Sequence, residues 1–293
     1  MAGARRKSKG GRWARVRDAA RWGARHLRTG VTAIGVRGGL LIAAAVVVLW
    51  GLGAARAWVG RMPRYRVYPS RFRAKAPPWC AEDLAAVEFP RHSYSIFDPA
   101  LTRQVAAAYQ QCPWVAEVVR VEKRFPNELR VELALREPAA FVRLPGACHA
   151  IDVHAVHLPL PYHRWDHANR PLPLVFGVES DPPPPGQRWA DRKVTAAASV
   201  LATLAAEPSV LRQIHVVDVA NLEGDIDPLR SEILLFARQR VRINWGRPPD
   251  TRKFGEPPAR HKLARLRRHL ARPVGAGDSI DLRFPDDAEL AGP

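Results

Sequence analysis

Cysteine is scarce in this chain. Cys80, Cys112 and Cys148 are the only three, and no two of them stand in a CxxC spacing. That excludes a disulfide framework, a zinc ribbon and a thioredoxin-like redox motif. One bridge in an oxidising compartment or plain burial both stay open. Glycine-rich phosphate loops are missing too. The sequence has no P-loop, no GxGxxG and no GxSxG elbow, so it offers no familiar nucleotide site or nucleophile, and no enzyme activity is expected. Acid is in short supply, with 28 Asp and Glu against 46 Lys and Arg. Hydrophobic residues are plentiful at 47%, which excludes wholesale disorder and allows real cores.

Long apolar runs are also few. The single one is "GGLLIAAAVVVLWGLGAA", residues 38–55. Eighteen helical residues rise about 27 Å, enough to cross a bilayer core. Trp58 and Val59 extend the span to 38–59, because Arg56 can snorkel to the interface. Trp50 and Trp58 suit an interfacial belt. Ahead of it, residues 1–37 hold eleven Lys and Arg against Asp18 alone. The positive-inside rule therefore predicts a cytoplasmic tail at 1–37 and an extracytoplasmic remainder. Arg61, Arg64, Arg66, Arg71, Arg73 and Lys75 follow the span, but the N-terminal cluster is denser and less neutralised. A cleaved signal peptide is disfavoured by so long a basic lead. An uncleaved anchor with anionic-lipid contact explains the tail more simply than nucleic-acid binding.

Residues 148–167 gather Cys148, His149, Asp152, His154, His157, His163, Asp166 and His167. The spacing matches no standard metal motif, and Pro159 and Pro161 prevent one helix from presenting the ligands. No metal or cofactor is expected. Asp218, Asp225 and Asp227 read as turn residues, not paired catalytic acids.

Beyond the span, residues 64–74 alternate weakly as a first strand. Residues 80–89 read as a short helix and 98–112 as a better one. There Asp98 stands at the N-cap, Pro113 is the stop, and Leu101, Val105, Ala108 and Tyr109 share a face. "VVRVEK" and "LRVELALRE" alternate as paired strands around the turn "RFPNE", with Val119, Val121, Val131 and Leu133 expected inward. Residues 181–186, "DPPPPG", form a polyproline-like loop. A helix at 192–207, strands at 213–220, 232–237 and 240–245, a helix at 261–271 and a strand at 278–284 complete the chain. In helix 261–271, Leu263, Leu266 and Leu270 form a stripe. Its basic face is either solvated or in contact with anionic lipid or a partner.

The order strand, helix, helix, strand, strand is that of a POTRA domain. "PWVAEVVRVEKRFPNELRVELALREPAAF" (113–141) resembles the POTRA hairpin of the FtsQ/DivIB cell-division proteins. "AIDVHAVHLP" (150–159), "LPLVFG" (172–177), "VRINWG" (241–246) and "IDLRFP" (280–285) resemble further segments of that family, in its order. The resemblance covers about three quarters of the chain.

It implies an α+β protein: a single transmembrane helix followed by a POTRA domain (βααββ) at 64–143 and a mostly antiparallel β domain with flanking helices at 144–286. A C-terminal tail spans 287–293. It also implies a non-enzymatic bitopic divisome protein of the inner membrane and septum, binding FtsB/DivIC- and FtsL-type partners. The partner site would be Ile280, Asp281, Leu282, Arg283, Phe284 and Pro285, acting by strand addition. There Arg283 would meet a partner carboxylate and Phe284 would supply aromatic area. The rival class is a POTRA-bearing transport or outer-membrane assembly component, which would need a run of amphipathic barrel strands that the sequence lacks.

Overall fold

The computed structural model describes residues 38–39, 41–55, 58–251, 255–272, 275 and 277–285. The expected cytoplasmic tail 1–37 and C-terminal tail 287–293 lie outside the described residues. The chain groups into two units. One is Met1–Arg66 with Ser95–Asp98, and the other is Val67–Tyr94 with Pro99–Pro293. In the first unit, one helix, Leu41–Arg61, is long and apolar enough to cross a membrane. Its 21 residues rise about 31 Å. In the same unit, Ile96 N–H donates to Tyr65 O (3.0 Å), and Tyr65 and Phe97 pack ring to ring at 5.2 Å.

The second unit is α+β with two mixed sheets. The first sheet has three strands, β1 (Phe72–Ala74), β2 (Val115–Arg124) and β3 (Glu128–Leu135), in the order β1-β3-β2. β2 and β3 are the antiparallel hairpin, and β1 lies parallel to β3 with Phe72 opposite Leu129. Helices α1 (Ala81–Ala85) and α2 (Leu101–Gln110) precede the hairpin. Leu101, Val105, Ala108 and Tyr109 are all buried, as an i, i+4 face requires. Phe89 bridges Phe72 and Tyr109 edge-on, and Trp114 Nε1 donates to Asp83 Oδ2 at 2.7 Å, fastening α1 to the root of the hairpin.

Several expectations need correction here. The expected first strand at 64–74 breaks into two separate short strands, Arg66–Val67 and Phe72–Ala74, of which only the second joins the hairpin. Helix α2 begins at Leu101 with Ala100 in the cap position, so Asp98 is not its N-cap. Val119 does not point inward. The register slips between Val118 and Arg120, so Val119 is an extra residue in a bulge and is exposed. Val131 is buried, but Leu133 is half-buried, because the apolar parity of β3 outlasts its cover. Leu129→Ala should therefore cost about 2–5 kcal/mol, Leu133→Ala roughly 1–2, and a change at Glu132 about 0.5 or less. Urea unfolding of the three variants checks this order, and equal costs would refute it.

The second sheet has eight strands. They are β4 (Ala140–Leu144), β5 (Ala147–Ile151), β6 (His157–Pro161), β7 (Leu174–Phe176), β8 (Ile214–Asp218), β9 (Ile233–Ala237), β10 (Arg242–Gly246) and β11 (Ser279–Asp281). The spatial order is β11-β10-β9-β8-β7-β4-β5-β6. The pairs β10–β11, β7–β8 and β4–β7 are parallel and the other four are antiparallel, so the sheet is mixed with antiparallel pairs in the majority. β4 belongs to this sheet, although a boundary at 143 would assign it to the hairpin region.

One face of the sheet is covered by α3 (Arg192–Ala205) and α5 (Ala259–Leu270); the short α4 (Pro208–Leu211) lies between them in sequence. Asp191 caps α3 by accepting from Lys193 N (2.6 Å) and Val194 N (3.1 Å). Val194, Val200, Leu201 and Leu204 then meet Val175, Val217, Leu235 and Ile243 in one core. β9 alternates strictly between buried and half-buried, the pattern of a strand covered on one side. Gly177 closes "LPLVFG" at φ +93°, where a Cβ would press on the Ala220 backbone.

Candidate interaction surface

Among the described residues β11 is the last strand, and it forms one edge of the eight-stranded sheet. Its register with β10 pairs Arg242 with Ser279, Ile243 with Ile280 and Asn244 with Asp281. Arg242 N donates to Asp278 O (2.9 Å), and Leu282 N to Asn244 O (2.9 Å). In a parallel ladder alternate residues bond to the same neighbour. Ser279 and Asp281 therefore turn their backbone groups outward.

The six expected site residues divide by role. Ile280 and Leu282 are buried in the sheet core. They anchor the strand and cannot meet a partner directly. Arg283 already has a carboxylate within the chain. Its Nη2 donates to Asp281 Oδ2 at 2.7 Å and its Nε to Asp281 Oδ1 at 3.0 Å. Partial burial would push the Asp281 carboxyl upward, but the Arg283 guanidinium and backbone N–H outweigh it and hold the group below its ordinary range. The same hydrogen bonds raise Arg283 above its ordinary value. Phe284 is 60% exposed beneath the Arg283 guanidinium, at 5.3 Å from its ring centre. Pro285 is half-buried.

Part of the outward edge is covered by the chain's own side chains. Arg265 of α5 is buried and donates to Phe284 O, and to Asp281 O at 3.2 Å. Asp281 Oδ1 accepts from Arg283 N at 3.0 Å. What the edge offers another strand is thus short, centred on Ser279 and Asp281 N–H. Beside it lies a cleft of about 440 Å³ whose walls include Leu229, Glu232, Arg247, Glu256, Arg283 and Phe284. Arg283 Nη1 donates to Leu229 O at 3.2 Å, tying the 222–231 loop to the strand. Ile226 and Leu229 are exposed, at 69% and 88%. Sequence reasoning read Asp225 and Asp227 of this loop as turn residues but missed its exposed apolar pair. Its signal was two large apolar residues within an acidic, proline-containing turn, "EGDIDPLR".

Helix α5 also departs from expectation. Its leucine stripe packs as read, but Lys262 and Arg265 are buried as well. Lys262 Nζ donates to Trp245 O (2.7 Å) and to Glu256 Oε2. Burial holds the ammonium below its ordinary value, against the pull of Glu256.

The His and Asp run at 148–167 is divided among separate places. Asp152 is buried, accepts from His154 N and Val156 N (both 2.8 Å), and pairs with Arg136 at 3.0 Å. His167 Nε2 lies 2.8 Å from Tyr162 O. Cys148 faces Arg143. Only His149 and His157 come together, with Nδ1 of His149 3.4 Å from Nε2 of His157. Burial lowers both below the ordinary imidazole value, and for His149 the second ring adds to it. Cys80 and Cys112 are buried free thiols. Burial pushes Cys80 up to about 11, with Cys112 and Asp83 adding to the shift, and burial raises Cys112 too. Compared with known proteins, the chain matches no protein-family model and no curated protein sequence.

Proposed function

We propose that this chain is a bitopic division protein of the FtsQ/DivIB type, without enzymatic activity. In this reading the helix Leu41–Arg61 crosses the inner membrane with its basic lead in the cytoplasm. Residues 72–135 form a POTRA module, and the larger sheet is the partner-binding domain at the septum. The observation that carries the reading is the edge strand β11. It is a short edge with an exposed aromatic beside it, on a chain that also has a membrane-length apolar helix. The order β1-α1-α2-β2-β3, with β1 parallel to β3, agrees with a POTRA module. FtsB/DivIC- or FtsL-type partners would add a strand along Ser279–Asp281 and cover Phe284, Ile226 and Leu229. Backbone pairing would set the register, and the apolar contacts would supply most of the affinity.

The barrel-associated alternative fits less well. Strands of the larger sheet run three to five residues, against about nine to eleven in a membrane barrel. Helices also cover one of its faces.

The test is imaging of a full-length fluorescent fusion in dividing cells. Enrichment at midcell is the expected result. Uniform membrane fluorescence through division would overturn the septal assignment.

A further inference from the structure

His149 and His157 sit diagonally across the antiparallel pair β5–β6, where Ile151 faces His157 and Ala150 faces Leu158. The two rings approach at 5.2 Å between centres, and Trp189 packs edge-on against both at 6.1 Å. His157 is 9% exposed, and His149 is half-buried. His157 Nδ1 lies 2.6 Å from Pro183 O. A carbonyl only accepts, so that nitrogen carries the proton and Nε2 of His157 is a lone pair aimed at His149.

We propose that His149 and His157 form a binding site for a divalent first-row transition metal ion, with water completing its coordination. Two imidazole nitrogens on a tetrahedral ion, each about 2.0–2.1 Å from it, stand about 3.3–3.4 Å apart. The observed separation of the two facing nitrogens is 3.4 Å. As a direct hydrogen bond that distance is long, since good ones run about 2.7–3.2 Å. As the bite of a tetrahedral ion it fits as it stands in length, and tetragonal copper(II), whose neighbouring nitrogens stand about 2.8–2.9 Å apart, would draw the two rings together by about 0.5 Å. The Pro183 carbonyl already plays the outer role usual for a metal-bound histidine, fixing the tautomer and orienting the ring.

Binding also balances without net proton release. His149 moves its proton from Nδ1 to Nε2, and the ion takes the place between the rings. Among the described residues no group of three or more His, Cys, Asp or Glu is arranged around an ion. The site is therefore a two-residue chelate with open positions, and imidazole donors favour copper(II) over nickel(II) and zinc(II). The sequence reading looked for ligands on one helix, which Pro159 and Pro161 forbid. A hairpin tolerates both prolines on its edge strand and still brings residues eight apart onto one face.

The experiment is calorimetric titration of copper(II), nickel(II) and zinc(II) into the full chain. The protein is purified in detergent without a polyhistidine tag, and electron paramagnetic resonance is recorded on the copper form. The expected result is one saturable site, tightest for copper, whose spectrum shows two nitrogen ligands. His149→Gln should weaken it at least about tenfold and remove one nitrogen from the spectrum. The melting temperature of the metal-free variant should stay unchanged, because His149 is only half-buried. His157→Gln should act likewise where it folds; where it does not, His149→Gln decides. Absence of a saturable site for all three ions, or equal binding by the wild type and His149→Gln, would overturn the assignment.

Discussion

Replacing Leu282 by Ala should destabilise the chain by about 2–5 kcal/mol, whereas Phe284→Ala should cost no more than about 1. Two residues apart on one terminal segment, they do different work. Leu282 is fully buried and its N–H completes the ladder to Asn244 O. Deleting three of its carbons leaves a cavity between β10 and the helices. Phe284 is exposed, and its main contact is the cation–π approach of Arg283. Partner binding should invert the ranking. Phe284→Ala should lose about 2 kcal/mol of affinity for an FtsB/DivIC-type partner, roughly thirtyfold. Urea unfolding and surface-immobilised binding on the same two variants separate the effects. Unchanged affinity in Phe284→Ala, with stability intact, would move the partner site elsewhere. Removing residues 280–293 outright would not isolate the partner site, because it strips Ile280 and Leu282 from the core. Arg283→Glu is compromised as well, since it places a second carboxylate beside Asp281.

What the sequence disclosed follows from which interactions are periodic. The hairpin, the apolar face of α2 and the leucine stripe of α5 repeat at two or 3.6 residues, so a local window contains the whole signal. The three-residue strands Phe72–Ala74 and Leu174–Phe176 carry no such repeat. Each exists because a longer strand far away in sequence accepts it in parallel, and no local window contains that partner. The bulge at Val119 is likewise set by the register of the opposite strand. At the candidate site, the terminal position and exposed aromatic of "DLRF" were legible. The Asp281–Arg283 pair, and the Arg265 bonds that cover part of the edge, were not. Alternation alone puts residues 281 and 283 on one face but does not say that they bind each other. The burial of Lys262 does leave a local trace. Lys262 stands four residues before Leu266 and so shares its face.

Lys262→Ala should cost about 3–5 kcal/mol, because it takes the buried ammonium away from the largely buried Glu256 carboxylate and from the Trp245 carbonyl. The lysine side chain is 4% exposed and the glutamate 19%. Glu256 also accepts from Arg247 N at 3.1 Å. Gly246 sits at φ +92°, where a Cβ would collide with the Glu256 carboxylate, so the backbone is shaped around the pair. The attraction must offset the desolvation of both ions, and burial already holds the ammonium below its ordinary value. Losing one partner should therefore hurt far more than losing the charge of both. The double change Lys262→Met with Glu256→Gln keeps the volume and leaves an amide oxygen for Arg247 N. It should recover most of the loss, to within about 1.5 kcal/mol of the wild type. Urea unfolding of the single and double variants, followed by tryptophan fluorescence, measures both. If the single change costs less than about 1 kcal/mol, the pair is solvated and contributes little. If the double change recovers stability, the pair acts as a registry device that seats α5 on β10. Arg265, one helical turn further on, then reaches the terminal strand from a fixed position.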